Sequence, residues 1–199
     1  MLRHYAPQRV RLAGGLLDCR AIIARLVFCQ TVVMIDTSWD QKVDDFYEHA
    51  FDESDPHGAI AAMQSLASER PAGDASVLFE MGGIHDSLGL EAEAIQYYRA
   101  AIKAGLEGER ATRVFIQLAS TLRNVGESAE AVSVLESSPA SEDDEGARQA
   151  FLALALYDAG RYGDALRTAL LALIPTLDGY KRALREYAEE LPSTLPAGQ

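Results

Sequence analysis

One feature limits what this chain can fold into: a phrase recurs at a fixed spacing. Gly89-Leu90-Glu91-Ala92-Glu93-Ala94-Ile95-Gln96-Tyr97-Tyr98 is echoed by Gly126-Glu127-Ser128-Ala129-Glu130-Ala131-Val132-Ser133-Val134-Leu135. It returns once more in Gly160-Arg161-Tyr162-Gly163-Asp164-Ala165-Leu166-Arg167-Thr168-Ala169. Each Gly precedes its Ala by five residues, and the alanines lie 37 and then 34 residues apart. A fainter copy sits 35 residues upstream at Ala59, with Ser54 in the Gly place and Pro71 closing the unit. Self-similarity at 20–50 residues marks an array of stacked supersecondary units.

Each unit divides into two helices. Between Ala75 and Ser87, Leu78, Met81, Gly82 and His85 recur at steps of three and four, one face of a helix. Gly89 supplies the left-handed residue that ends it. From Glu91 to Ala104 a second apolar face carries Ala94, Ile95, Tyr98, Ala101 and Ile102, and Gly105 ends that helix. Gly82 and Ala94 let the two helices touch, and Tyr98 fills the wider gap beyond. A lone helix pair cannot bury its apolar side, so neighbours must stack.

The pattern Leu78-x-x-Met81-Gly82-x-x-His85 followed by Ala94-x-x-x-Tyr98 resembles the tetratricopeptide repeat. It departs from the family at Leu78, where Trp is common, and at His85, where Tyr is common. Phe115-x-x-Leu118-Ala119-x-x-Leu122 with Ala131 and Leu135 is a second copy. Leu152-Ala153-x-x-Leu156 with Ala165, Ala169 and Ala172 is a third. Val43, Phe46, Ala50, Ala59 and Met63 form a divergent first copy. The stretches Phe79–Ser87 and Gln117–Asn124 look like a group of small bacterial tetratricopeptide-repeat proteins, over about Asp36 to Leu191. The resemblance implies an all-α fold: a right-handed superhelix of antiparallel helix pairs, about four repeats plus a C-terminal capping helix. It supplies no activity.

The expected cap runs from Asp178 to Leu191, with Tyr180, Leu184, Tyr187 and Leu191 on one stripe, shielding the last open apolar face. Pro192 stops it, and 192–199 reads as a flexible tail. Ser137–Gly146, with Glu142, Asp143, Asp144 and Glu145, reads as a solvated acidic loop.

The first 33 residues differ from the rest. They hold five arginines against Asp18 alone, a net +4, and subtracting that from the chain's −12 leaves −16 on the remainder. Asp18, Arg20 and Arg25 interrupt the apolar run that a signal peptide or a membrane span needs. Residues 1–33 therefore read as a basic leader outside the fold, an upstream extension before Met34, and 34–191 as the repeat domain.

Net acidity disfavours nucleic acid, whose phosphates need clustered Lys and Arg. Cys19 and Cys29, both in the leader, suit a reducing compartment and no zinc site, so a cytoplasmic location is expected. No phosphate loop, GxSxG, HExxH or paired CxxC is present, and Gly82-Gly83 falls inside a helix. His85 and Asp86 are adjacent, so they point about 100° apart on a helix and form no ready acid–base couple. His85 is expected to fill an aromatic slot. No catalytic residue, metal or cofactor is expected.

A binding scaffold is the expected function, with the first helix of each unit lining a concave groove for a protein or peptide. Positions one step off the packing stripe are Phe79, Gly83 and Asp86 in the second unit, and Arg113, Ile116, Ser120, Arg123 and Asn124 in the third. They are Leu154, Tyr157 and Asp158 in the fourth, and Asp44, Glu48 and Phe51 in the first. Arg113 and Arg123, about 15 Å apart along a helix, could flank a ligand carboxylate, with Asn124 on its backbone. Pairing of both arginines with nearby acids is the competing expectation. The Lys, Asn and Arg set by which chaperone-binding members of the family hold a peptide carboxylate is absent. A homodimer through Trp39, Phe46, Tyr47 and Phe51 is the first alternative, and a small-molecule or metal-dependent enzyme using His85, Asp86 and nearby acids ranks last.

Overall fold

A computed structural model describes residues 37–139 and 141–193. The basic leader and most of the tail fall outside the described residues. Those described form α-helices, one short π-helix and one 3-10 turn. None of these helices is long and apolar enough to cross a membrane. The chain divides into two compact units between Arg70 and Pro71, inside the span that the repeats mark as one domain.

The first unit pairs α1 (Thr37–Asp45), continued by the π-helix Phe46–Ala50, with α2 (Pro56–Ala67). Asp55 caps α2, its carboxylate accepting from the Gly58 N–H at 3.0 Å, and Pro56 takes the first helical place. Trp39, Val43, Phe46, Ala59 and Met63 are buried. The π-helix inserts a residue into the 3.6 rhythm: Phe51 N–H bonds the Phe46 carbonyl at 2.8 Å. Ala50 is thereby carried off the packing stripe and is exposed, against the sequence expectation.

Of the patch expected for a homodimer, Trp39 and Phe46 are buried and Tyr47 and Phe51 half-buried. The Trp39 indole N–H donates to the Leu66 carbonyl at 2.9 Å, and the Arg70 guanidinium lies 5.0 Å over its ring. Phe46 is buried and meets Tyr47 and Phe51 edge-on, at ring separations of 5.2 and 6.2 Å. These aromatics form an internal cluster, because a two-helix unit needs large side chains to make any core at all.

The second unit stacks three antiparallel pairs: α3 (Ala75–Ser87) with α4 (Glu91–Lys103), α5 (Arg110–Asn124) with α6 (Ser128–Glu136), and α7 (Glu145–Asp158) with α8 (Tyr162–Leu173). A 3-10 turn, Ile174–Thr176, leads to α9 (Lys181–Glu189). Asp74 starts α3 by accepting from the Ser76 and Val77 N–H groups at 2.9 and 3.1 Å. Gly89, Gly126 and Gly160 each turn the chain at positive φ between the helices of a pair. The next N–H in each case bonds back to a carbonyl inside the finished helix: Leu90 to His85, Glu127 to Leu122, Arg161 to Leu156. One turn used three times gives each pair the same geometry and lets the pairs stack in phase.

Successive first helices pack on one another, and each also packs on the second helix before it: α5 lies against α3 and α4, and α7 against α5 and α6. A continuous core results, with Tyr98, Val114, Leu122, Leu135 and Ala155 essentially inaccessible. His85 occupies the expected aromatic slot. It is buried, its Nδ1 donates to the Met81 carbonyl at 2.6 Å, and its ring meets Tyr97 at 5.0 Å.

The last helix departs from the expected cap. Tyr180 lies before α9 in the left-handed conformation (φ 60°) and is 91% exposed, and Tyr187 also points outward. The packing stripe is instead Leu184, Ala188 and Leu191. Tyr180 stands outside the helix, so the 3.6-residue phase begins later than the tyrosines suggest. α9 packs chiefly on α8 and the 3-10 turn. Arg167 of α8 pins it, donating from Nε to the Ala188 carbonyl at 3.2 Å and from its terminal nitrogen to the Leu191 carbonyl. Asp164 steadies that arginine at 2.7 Å. Burial acts to raise the Asp164 carboxyl, but hydrogen bonds from Arg161, Ser193 and Arg167 hold it below the ordinary range.

Candidate functional site

Two surfaces of the second unit bear on function: a polar rail along the first helices, and an apolar groove at the last pair.

The rail ties α3, α5 and α7 together across one repeat period. Arg110 Nε donates to Glu80 Oε1 at 2.8 Å, and Thr121 Oγ1 donates to Asp86 Oδ1 at 2.9 Å. Thr112 bonds Asp144, and Arg113 reaches the same carboxylate at 3.9 Å and Glu109 at 3.2 Å. Arg123 grips Asp158 with two nitrogens, each at 2.7 Å. Asp144, expected in a solvated loop, is thus half-buried and spoken for. Of the arginines expected to flank a ligand carboxylate, Arg123 already holds Asp158, while Arg113, 51% exposed, makes only looser ion pairs with Glu109 and Asp144. A charge-assisted pair with good geometry is not surrendered cheaply to a competing anion.

The remaining expected groove residues divide by burial. Phe79 and Ile116 are core residues, each 8% exposed. Phe79 packs on Tyr98 at a ring separation of 6.0 Å. They do not face a groove, because the first helices are gripped on both flanks by neighbouring helices and the apolar arc is wider than a single stripe. Asp86 and Ser120 are half-buried, while Asn124 and Tyr157 are exposed.

Burial pushes the Asp86 carboxyl above the ordinary carboxylate range, with Glu91 adding to it, while hydrogen bonds from Thr121 and Tyr98 pull it back. Its charged form is therefore disfavoured in the fold, a penalty present at neutral pH. That penalty fades as pH falls through the raised value toward 3.8, the ordinary one. Asp86→Asn keeps an acceptor for Thr121 and removes the penalty. Thermal melts are expected to show the variant gaining on wild type at pH 7 and losing that advantage near pH 4. An advantage that does not change with pH would contradict this account.

The groove encloses about 830 Å³, walled by Ala150, Ala153, Leu154 and Tyr157 of α7 and by Tyr162, Ala165, Leu166, Ala169 and Ala172 of α8. No charged side chain lines it. Leu154, Tyr157, Tyr162 and Leu166 are 44–61% exposed. Tyr157 and Tyr162 stand edge to face at 5.0 Å at one end. Four half-exposed large apolar side chains side by side approach the largest patch an ordinary soluble monomer shows, ~300–600 Å² and often functional.

The repeat explains why this surface exists. Leu118, Ala119, Leu122 and Ala131 recur 34 residues later as Leu152, Ala153, Leu156 and Ala165. By that offset the groove walls correspond to Ile116, Ala119, Ala131, Val132 and Leu135, all buried in the third pair, on which α7 packs. The groove is the seat that a following first helix would fill, and α9 has gone to the other side of α8. At the rim the corresponding residues also change character. Ser120, Arg123 and Ser128 become Leu154, Tyr157 and Tyr162. A terminal unit that shields a stack turns a polar face outward; this one grows more apolar. The sequence reading took Leu154 and Tyr157 as groove residues of α7 but missed the α8 wall, which Leu166, Ala169 and Ala172 on one α8 stripe could have revealed.

The family comparison agrees with this architecture. The family model described as tetratrico peptide repeat matches residues 75–191. A solved structure described as YrrB, a TPR protein with an unusual peptide-binding site, is similar over 87% of this chain and 100% of its own, at 12% identity and a TM-score of 0.49. No curated protein matches. With its glycine turns, its stacked helix pairs and a family match over more than half its length, the chain belongs to the tetratricopeptide-repeat family.

Proposed function

We propose that this chain is a protein-interaction scaffold that holds another polypeptide on the open groove between α7 and α8. A repeat module of this family supports a protein-interaction role in general. The observation that carries the finer reading is the reversal at the last pair, where Ala150, Leu166 and Ala169 lie open although their counterparts Ile116, Val132 and Leu135 are buried, and the rim turns apolar. Fold alone names no ligand, so the argument rests on this surface. Tyrosine is enriched in binding hot spots, and a concave, mostly apolar floor is the usual form of a binding site. The rail, which takes in Asp86, Arg113 and Arg123, serves mainly to fix the spacing of the first helices, while Ser120 and Asn124 lie beside it.

The test is partner capture by cross-linking in native lysate, comparing wild type with Leu154→Glu/Leu166→Glu and with Arg113→Ala/Asn124→Ala. All four positions are at least partly exposed, so each change should cost within about 0.5 kcal/mol of stability, which melts would confirm. The groove variant is expected to lose the partners that wild type captures, and the rail variant to keep them. Loss from the rail variant alone would move the site to the concave surface, and retention by both would sink the proposal.

A further inference from the structure

Resting on the scaffold reading, we infer that the occupant of the groove is an amphipathic α-helix of another polypeptide, basic on its outward face, seated where the next repeat's first helix would lie. The seat itself argues for a helix. Its equivalent on α5 and α6 is filled by α7, and that on α3 and α4 by α5. The surface is thus continuous in kind with two interfaces already present in the molecule.

Those two internal occupants define the face that fits. On the side of α5 that meets the preceding pair, Val114, Leu118, Thr121 and Leu122 are each at most 3% exposed; Ile116 and Ala119, also buried, wall the following seat. In α7 the matching buried positions are Leu152, Ala155 and Leu156, and Arg148, in the Val114 place, reaches the Leu135 carbonyl of α6 at 2.9 Å. The shared pattern is a Leu, a small residue three places on and a second Leu four places on; the place four residues before the first Leu differs, Val114 in one helix and Arg148 in the other. The small residue is Thr121 in one case and Ala155 in the other, and Thr121 sits against Asp86 of the preceding first helix.

Charge selects the partner. The groove walls are uncharged, while the whole chain carries −12. A ligand helix with a basic outward face is drawn in by that field, and an acidic one is repelled. The same charge keeps second copies apart. Apart from the groove walls themselves, no described helix has a complete apolar stripe to spare: those of α1 to α8 are spent inside their own units, and α9 turns Leu184 and Ala188 onto α8. Two copies meeting groove to groove would bring concave surfaces together and fill neither.

The test titrates the full chain with labelled 14-residue peptides copying Glu145–Asp158, read by fluorescence anisotropy. One peptide carries Ala147→Lys, Ala150→Lys and Leu154→Lys. A second carries Glu at those places, and a third adds Ala153→Pro to the Lys peptide to break the helix. The Lys peptide is expected to bind in the micromolar range, about −8 kcal/mol at 1 μM. The Glu peptide should bind at least tenfold more weakly at low salt, the gap narrowing as salt screens it. The proline peptide should not bind. Leu154→Glu/Leu166→Glu in the protein should weaken the Lys peptide tenfold or more.

Equal binding of the proline peptide would mean an extended ligand, and a Glu peptide as tight as the Lys peptide would remove the basic-face requirement; either overturns the inference. So would a failure of every peptide. If lysate partners were still lost from the groove variant in that case, the scaffold reading would survive and the helix would not. If the variant kept them, both would fall. Sedimentation showing a dimer abolished by Leu154→Glu/Leu166→Glu would make a second copy the occupant, which also overturns the inference.

Discussion

Arg110→Ala is expected to remove about 3 kcal/mol of folding stability, the largest single-site effect outside simple core truncation. Glu80 emerges from the middle of α3 with its side chain 5% exposed, flanked in sequence by the buried Phe79 and Met81. A carboxylate there is tolerable because Arg110, at the first turn of α5, brings a guanidinium to 2.8 Å. Arg110 is itself 21% exposed, so it keeps some contact with water while Glu80 has almost none. Removing the cation takes the Arg110 donor and its charge from a nearly buried carboxylate, and that asymmetry makes such losses large. Changing both partners to apolar groups of similar size, Glu80→Met/Arg110→Met, removes the buried charge with its cation and should recover most of the loss. Urea unfolding of the single and double variants measures this. A single variant within 1 kcal/mol of wild type would show that the pair is idle.

Gly82→Ala is expected to destabilise by about 2 kcal/mol, although Ala favours helix over Gly by about 1 kcal/mol. A Cβ built at Gly82 meets Tyr98 Cδ1 at 2.5 Å and Cε1 at 2.6 Å. Those are ring atoms of a fully buried side chain that also packs on Phe79. The ring cannot swing away without disturbing α4, and overpacking of this kind costs about 1–3 kcal/mol in a close-packed core. Here it outweighs the helix gain. The conflict is local, so Tyr98→Leu, costly alone, should cost about 1 kcal/mol less beside Gly82→Ala. Additive losses in that cycle would place the strain elsewhere.

Much of the fold was legible because repetition makes each element vouch for the others. Gly89, Gly126 and Gly160 mark the same turn three times, and Ala94, Ala131 and Ala165 mark the same close approach. The π-helix at Phe46–Ala50 was not legible, because one added residue leaves the composition unchanged and shifts only the phase. The position of α9 was not either: the Tyr180, Leu184, Tyr187 and Leu191 spacing is equally good on paper as the stripe the molecule uses. Four pairings of the rail could have been found, since Glu80 and Arg110, Asp86 and Thr121, Thr112 and Asp144, and Arg123 and Asp158 lie 30, 35, 32 and 35 residues apart. Partners one period apart are neighbours in a stack, so the repeat that gave the fold also encoded which polar groups would be spent on it.

The open seat between α7 and α8 also bears on how a chain of this kind changes length over evolutionary time. Duplicating one 34-residue period beyond α8 would deliver a first helix already shaped for the surface awaiting it, since α7 fits the equivalent surface on the pair before. The added pair would then expose a copy of the same surface at its own far side. Growth by whole repeats needs no invention of a new interface, only relocation of α9, and each added unit would carry the docking groove outward with it.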